Sequence, residues 1–129
     1  MKRILFLMAI LLTSVMASAQ QKEASITVTD SATYNFGDIK EDGGPAVHTF
    51  TVINNGEMPL VITRVQPSCG CTTPDWTKEP IAPGKTGDIH ITYDPNGRPG
   101  PFTKTISVYS NGKEGSYLLT IRGNVLPKS

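Results

Sequence analysis

The sequence predicts an all-β protein, an antiparallel β-sandwich of about seven strands that follows a cleaved signal peptide. From Ser25 onward, short runs rich in β-branched and aromatic residues recur, and Gly, Pro, Asn and Asp separate them. We find no stretch with apolar residues at the spacing of an amphipathic helix. Short strands with turn signals about every eight to twelve residues are typical of a sandwich, and a closed barrel is the alternative.

Residues 1–19 have the features of a signal peptide. Two basic residues precede an apolar run that begins at Ile4, and an A-x-A pattern ends at Ala19. The uncharged stretch is shorter than the roughly 20 residues that a membrane span requires. We therefore predict cleavage between Ala19 and Gln20, a periplasmic or secreted protein, and a mature chain without a membrane span.

The remaining residues, 20–129, are about the size of one ordinary domain. The whole chain has 12 Lys and Arg residues and 11 Asp and Glu residues, and two of the basic residues belong to the leader. The charges alternate along the chain and form no basic block, which argues against nucleic-acid binding. We predict one domain that binds no nucleic acid.

Two short runs begin the domain. Ile26 and Val28 alternate with polar residues, and Tyr34 and Phe36 follow in a second run that ends at Gly37. A glycine inside a strand pattern marks an interruption. We interpret the two runs as one split first strand.

The next two strands lie on either side of a turn. The run from Val47 to Asn54 alternates so that Phe50 and Val52 share one face, which we predict to be inward. After an Asn-Asn-Gly turn sequence, the run from Leu60 to Gln66 is β-branched and apolar. This strand stops at Pro67, because proline has no N–H for a sheet hydrogen bond.

Three more strands follow from the same alternation. Their predicted inward residues are Ile89, Ile91 and Tyr93, then Phe102, Ile106 and Val108, then Tyr117, Leu119 and Ile121. Asn111-Gly112 is a hairpin signal between the last two strands.

The two cysteines, Cys69 and Cys71, lie in a proline-rich segment that also contains Trp76. We predict that this segment is an irregular crossing from one sheet to the other. Residues two apart in a strand are roughly 6.6 Å apart, at the outer limit of disulfide geometry. Gly70 permits the bend that a disulfide needs, so the pair is a candidate for a local disulfide.

A redox dithiol and a soft-metal site are the other interpretations of the cysteine pair. A redox thiol is favoured by a nearby cation, and Ser68 to Thr73 contains none. Copper or zinc binding would use both thiolates, with His48 or His90 as further ligands. Trp76 is a candidate binding residue, because tryptophan is frequent at binding hot spots.

Four motifs together resemble the bacterial domain of unknown function 1573. They are Phe36-Gly37-Asp38-Ile39, the run from Phe50 to Gly56, Pro59-Leu60-Val61-Ile62, and Ser68-Cys69-Gly70-Cys71-Thr72. The resemblance implies an exported immunoglobulin-like sandwich, similar in architecture to Hydin-type domains that act in protein interaction or scaffolding. It supplies no catalytic residue, cofactor or substrate.

The sequence contains no serine-elbow, zinc-protease or phosphate-loop motif. We therefore predict an exported, non-enzymatic module without a cofactor, which binds or scaffolds another envelope or secreted protein. The alternative is a thiol redox or copper- or zinc-binding protein that uses Cys69 and Cys71.

Overall fold

The structure, a computed structural model, describes residues 22–129. The predicted signal peptide, with its cleavage point between Ala19 and Gln20, lies outside these residues. Within the described range the chain forms eight strands. This part of the chain has no helix of the length and apolar character that crossing a membrane requires.

The eight strands form two four-stranded sheets that pack as a sandwich. The strands are β1 (Ile26–Val28), β2 (Thr33–Lys40), β3 (Ala46–Asn54), β4 (Ile62–Pro67), β5 (Thr72–Trp76), β6 (Thr86–Tyr93), β7 (Gly100–Ser110) and β8 (Ser116–Leu126). Sheet 1 has the order β1-β3-β6-β5, and sheet 2 has the order β2-β8-β7-β4. The predicted sandwich is confirmed, and the closed barrel is wrong because each sheet keeps two edge strands.

The eighth strand, β5, lies inside the segment that the sequence predicts to be an irregular crossing. It pairs with β6 in antiparallel register, and Pro74 lies opposite Ile91. An edge strand tolerates a proline, because one side of its backbone needs no partner. The crossing between the sheets is therefore limited to residues 68–71.

The predicted split first strand is two strands in different sheets. Thr29 is still bonded to sheet 1, since its N–H donates to the Thr51 carbonyl at 3.0 Å. Ala32 already belongs to sheet 2, since its carbonyl accepts from the Thr120 N–H at 2.8 Å. β2 then runs parallel to β8, which corrects the prediction that the sheets are purely antiparallel.

The core lies between the two sheets and consists of the inward residues that alternation predicts. The fully buried side chains include Phe50, Val52, Ile89, Ile91, Ile106, Val108, Leu119 and Ile121. Tyr93 stacks on Phe102 with ring centroids 4.1 Å apart. Tyr117 is the exception, because it is only half-buried at the edge of this core.

One polar side chain, Asn54, is fully buried at the end of β3. Its Oδ1 accepts hydrogen bonds from the N–H groups of Ser25 at 3.3 Å and Gly56 at 2.9 Å. Its Nδ2 donates to the carbonyls of Met58 at 2.7 Å and Ile81 at 2.9 Å. These bonds offset the cost of burying the amide and hold β1 to the end of β3.

Candidate functional site

The sandwich has two lateral sides, where the edge strands of the two sheets lie next to each other. We call one the open side; it consists of β1, β2 and residues 46–51 of β3. The other is the closed side; it consists of β4, β5, residues 68–71 and the pair Leu60 and Ile81. The chain passes from sheet 1 to sheet 2 between β1 and β2 on the open side, and from sheet 2 to sheet 1 between β4 and β5 on the closed side. The predicted site residues are distributed over both sides.

The closed side is joined by a backbone bridge between Leu60 and Ile81. Each residue donates its N–H to the carbonyl of the other at 2.8 Å, and both side chains are buried. Leu60 precedes β4 in sheet 2, and Ile81 follows β5 in sheet 1. The bridge therefore links the two edge strands outside their own ladders.

The second link on the closed side is the Cys69–Cys71 disulfide. The two Cα atoms are 5.2 Å apart, within the usual range for a disulfide. Next to it, the Ser68 N–H donates to the Thr105 carbonyl in sheet 2 at 2.9 Å. The Asp94 N–H donates to the Cys71 carbonyl on the sheet 1 side, also at 2.9 Å, so the crossing is anchored to both sheets.

The two sulfur-bearing residues have different environments. Cys71 is 3% exposed and belongs to the core, whereas Cys69 is half-buried beside the exposed Gly70. The Cys71 N–H donates to the Cys69 Sγ at 3.0 Å. Cys69 is thus the more exposed of the two residues, and its sulfur accepts a hydrogen bond.

Sequence analysis misses a basic residue near the cysteines. Pro67 lies opposite Ile106 in the β4–β7 ladder, and Ser68 and Thr105 continue this register with their own hydrogen bonds. The ladder ends there, and Lys104 is the next residue of β7 after Thr105. No local sequence signal reveals this neighbour, because it depends on the pairing of β4 with β7.

Pro74 limits pairing at the outer edge of β5. The Thr77 N–H donates to the Asp88 carbonyl at 3.0 Å, and Asp94 bonds to Cys71 across the same ladder. In an antiparallel ladder, hydrogen-bonded residue pairs alternate with pairs that are not hydrogen-bonded. The odd-numbered residues of β5 therefore bond to β6, and the nitrogen of Pro74 faces away from β6, toward the outer edge of the sheet. That nitrogen carries no hydrogen, which removes a donor from the edge.

Trp76 ends β5, and its half-buried side chain packs against the core. The Lys78 ammonium lies over the indole, 3.0 Å from the ring centroid, and is 3.7 Å from a carboxylate oxygen of Asp75. The Lys78 ammonium therefore covers one face of the ring. The role of Trp76 as a binding residue stays a prediction.

The two histidines lie on opposite faces of sheet 1. His90 is exposed on the outer face, where its Nδ1 is 2.8 Å from the Thr49 Oγ1. His48 is on the inner face with Phe50, at the open side. Within residues 22–129, no three His, Cys, Asp or Glu side chains are grouped so that they could hold a metal ion. The copper or zinc site stays a prediction, for which the structure brings together only Cys69 and Cys71.

The open side exposes part of the backbone of β3. β1 has three residues; its ladder with β3 ends at Val28 and Val52, and one further bond joins the Thr29 N–H to the Thr51 carbonyl. The carbonyl of Thr51 bonds toward β1, and backbone groups along a strand point alternately to its two sides. The N–H and carbonyl groups of Val47 and Thr49 therefore point to the same side of β3 as the Thr51 carbonyl, at positions beyond the end of β1. Val47 is 50% exposed.

The neighbouring strand β2 is also unusual in its burial. Among the eight strands of residues 22–129, it alone has no buried residue, although it carries the apolar side chains of Tyr34, Phe36 and Ile39. Its outer edge has no partner strand in the described sheet. The open side therefore combines two backbone edges with exposed apolar surface.

Aromatic rings connect the two edges of the open side. The Tyr34 ring stacks on the His48 imidazole with centroids 3.6 Å apart and planes 8° from parallel. Phe36 lies edge-on to Tyr34 at 5.0 Å, and Phe50 lies edge-on to His48 at 4.6 Å. Burial lowers the pKa of His48, and the charge of Asp30 opposes this only in part. His48 is therefore a neutral ring in the stack at neutral pH.

Solved structures share the fold at low sequence identity. A protein of unknown function from Porphyromonas gingivalis W83 is 17% identical over 80% of this chain and 47% of its own, with a TM-score of 0.68. The PapD-like domain 7 of human CEP192 is 10% identical over 83% of this chain and 89% of its own, with a TM-score of 0.62. A family 123 glycoside hydrolase from Clostridium perfringens is 17% identical over 81% of this chain and 27% of its own, with a TM-score of 0.59.

These likenesses show the fold alone, and the chain spans less than half the length of the Porphyromonas gingivalis protein, with 47% of it covered. No curated protein matches the sequence significantly. The family model for the proteins of unknown function DUF1573 matches residues 17–125, which is most of the chain. The motifs that include Cys69 and Cys71 predict the same assignment, and the chain belongs to the DUF1573 family.

Proposed function

We propose that this protein is an exported, non-enzymatic module that binds an extended segment of another envelope or secreted protein along its open side. One observation carries the proposal: β1 ends at Val28, so the backbone edge of β3 around Val47 and Thr49 has no partner strand in the described sheet. A free edge of this kind is a template for a strand from another chain.

Strand addition would use both features of the open side. An incoming strand that bonds to the backbone of Val47 and Thr49 would extend sheet 1 beyond the end of β1. Alternate side chains of that strand would face the Tyr34–His48 stack, which is next to this edge. In this mode of recognition, main-chain hydrogen bonds give affinity, and the pockets for alternate side chains give specificity.

Export is the other part of the proposal. The predicted signal peptide supports it, and a Cys69–Cys71 disulfide is typical of an oxidising compartment. The periplasm and the exterior both meet that condition. The partner belongs to the same compartment.

Val47→Lys tests the proposed binding edge. Val47 is 50% exposed, so the substitution leaves the core intact, while a lysine on an edge strand opposes pairing with another chain. Tagged wild-type protein is expressed in its own host, and proteins that co-purify from envelope extract are quantified by mass spectrometry. We expect a specific partner whose recovery falls at least about tenfold in the variant.

Met58→Lys is the matched control. Met58 is 44% exposed and lies in the turn between β3 and β4, which follows the end of β3 opposite to Val47. We expect this variant to recover the partner as the wild type does. Equal recovery by the wild type and both variants, or an equal loss in both variants, contradicts binding at the β3 edge.

A thiol redox role for Cys69 and Cys71 is the second candidate function. The unequal exposure of the two residues favours it, because a purely structural disulfide gains nothing from an accessible sulfur. This role involves the closed side and is independent of binding at the open side.

A further inference from the structure

We infer that the Cys69–Cys71 disulfide is a thiol–disulfide exchange site in which Cys69 is the reacting sulfur and the substrate is an exported protein dithiol. The inference rests on the second candidate function and not on binding at the open side. Three independent features of the closed side distinguish the two sulfurs: access, hydrogen bonding and the position of Lys104.

Access favours Cys69. An attacking thiolate must reach one sulfur of the disulfide, and exchange rates depend on which sulfur is accessible. Cys71 is 3% exposed and packs in the core beside the buried Thr72, whereas Cys69 is half-buried next to the exposed Gly70 and Ser68. A protein thiol therefore approaches Cys69 without opening the sandwich.

Hydrogen bonding favours a thiolate on the same sulfur. The Cys71 N–H donates to the Cys69 Sγ at 3.0 Å, and a donor of this kind stabilises the charged form of a thiol. The Cys71 Sγ is 3.8 Å from the Thr72 Oγ1, a longer and weaker contact. Cys69 is thus the better thiolate once the disulfide is reduced.

The β4–β7 register adds a positive charge. Ser68 and Thr105 form two hydrogen bonds, from the Ser68 N–H to the Thr105 carbonyl at 2.9 Å and from the Thr105 N–H to the Ser68 Oγ at 3.2 Å. Lys104 is the next residue of β7 after Thr105, at the position that would face Cys69 if the register of the ladder continued past Pro67. A neighbouring ammonium group favours the thiolate of a cysteine.

The exchange transfers two electrons from the substrate dithiol to the disulfide. A thiolate of the substrate attacks the Cys69 Sγ, a new sulfur–sulfur bond forms, and the Cys69–Cys71 bond breaks with its electron pair on the Cys71 sulfur, which takes a proton from water. The second thiol of the substrate loses its proton to water and attacks the substrate sulfur of the mixed disulfide. Cys69 leaves as a thiolate, and the substrate becomes a disulfide.

Glutathione tests the choice of sulfur in the wild-type protein. The oxidised protein is incubated with reduced glutathione, quenched with acid during the first turnover, and mapped by tandem mass spectrometry. We expect glutathione on Cys69 in at least about tenfold excess over Cys71. An excess on Cys71 overturns the inference while leaving a redox role in place, and a disulfide that reacts only after the protein unfolds overturns both.

Single-cysteine variants measure the same preference as a rate. Cys71→Ser retains Cys69, and Cys69→Ser retains Cys71. We expect Cys71→Ser to react with an aromatic disulfide at neutral pH at least about tenfold faster than Cys69→Ser. Equal rates overturn the inference, and if either variant does not fold, the glutathione map of the wild type decides.

Lys104 is a positioning residue, and its test is a pH profile. In the Cys71→Ser background, Lys104→Met should move the pH midpoint of the Cys69 reaction upward, because the positive charge that favours the thiolate is lost. Lys104→Arg keeps that charge and should restore the profile. An unchanged midpoint in Lys104→Met overturns the assignment of Lys104.

Discussion

The chain changes sheets between β1 and β2 on the open side and between β4 and β5 on the closed side, and these two crossings leave different surfaces behind. On the closed side, β4 and β5 are linked by the Leu60–Ile81 bridge and by the crossing that contains the disulfide. The backbone nitrogen of Pro74, which carries no hydrogen, faces the outer edge of β5. On the open side, β1 ends after three residues and β2 continues in the other sheet with no buried residue.

The difference shows how one sandwich can keep a disulfide and an edge available for strand pairing on separate sides. Edge strands pair with other chains unless the fold prevents it, and an outward proline is one way to do so. The closed side has this protection and carries the Cys69–Cys71 disulfide. Within residues 22–129, the open side has two backbone edges without a partner strand, and it has the apolar surface that such a strand can cover.

The largest effect on folding is expected from Asn54→Ala. This change leaves the N–H groups of Ser25 and Gly56 and the carbonyls of Met58 and Ile81 without their partner. Because unsatisfied buried groups cost about 1–3 kcal/mol each, we expect the free energy of unfolding to fall by at least about 3 kcal/mol. Urea denaturation measures the loss.

Asn55→Ala is the control for Asn54→Ala. Asn55 is exposed, and its side chain makes one hydrogen bond, to the Thr27 Oγ1 at 2.6 Å. We expect it to cost no more than about 1 kcal/mol. Equal losses for the two variants would show that the buried amide does not hold β1 at the open side.

Removal of the disulfide should have a smaller effect. The Cys69–Cys71 bond closes a loop of three residues, for which chain entropy predicts a loss of about 1.5 kcal/mol in Cys69→Ser with Cys71→Ser. Thermal and urea unfolding measure it. Binding at the open side should not change, and a loss of partner recovery would contradict the independence of the two sides.

Glu114 links β1 to the hairpin between β7 and β8. Its carboxylate accepts hydrogen bonds from the Ser25 Oγ at 2.6 Å and the Ile26 N–H at 3.3 Å. Burial acts to raise the pKa of Glu114, but the hydrogen bonds from Ser25 and the backbone, with the charge of Lys113, outweigh it and hold the pKa below its ordinary value.

A lowered pKa in the folded state means that this stabilisation is present above the ordinary glutamate range and is lost as the pH falls through the lower, folded-state pKa. We expect Glu114→Gln to lose about 1 kcal/mol at neutral pH and to show a weaker loss of stability on acidification than the wild type. Urea unfolding at several pH values measures both. An unchanged pH dependence would contradict the role of the carboxylate at β1.

The smallest effect on stability is expected from Pro74→Val, which adds an outward N–H to the closed side. The β5–β6 ladder stays intact, so the free energy of unfolding should change by no more than about 0.5 kcal/mol. Self-association should increase, because the edge gains a donor and a β-branched residue. Sedimentation velocity measures this, with Thr73→Val as a control that adds apolar surface without a new N–H.

If Pro74→Val and Thr73→Val associate equally, the outward proline does not protect this edge. If only Pro74→Val associates, the missing backbone N–H of Pro74, and not a lack of apolar surface, is what keeps the closed side from pairing with another chain.

Alternation in the sequence predicts the core because each strand carries its own inward pattern. Phe50, Ile89 and Leu119 are examples, and all three are buried as predicted. The pattern does not reveal that β1 ends at Val28 or that Ser68, next to Cys69, bonds to Thr105 of β7. Both features depend on pairing between distant segments, which no local period encodes.

The edge strands are the least predictable elements for the same reason. β5 contains Pro74, and local rules exclude a proline only where both sides of a strand are paired. The open side likewise depends on which edge remains without a partner. Candidate residues that the sequence singles out, such as His48, take their surroundings from this topology.

Site-specific photocrosslinking in the native host tests the difference between the sides most directly. One variant carries the crosslinking residue at Val47 on the open side, and the other carries it at the exposed Thr73 on the closed side. We expect a discrete crosslinked protein from position 47 that position 73 does not give. A crosslink from position 73 alone, or the same crosslinked protein from both positions, would contradict the assignment of binding to the open side.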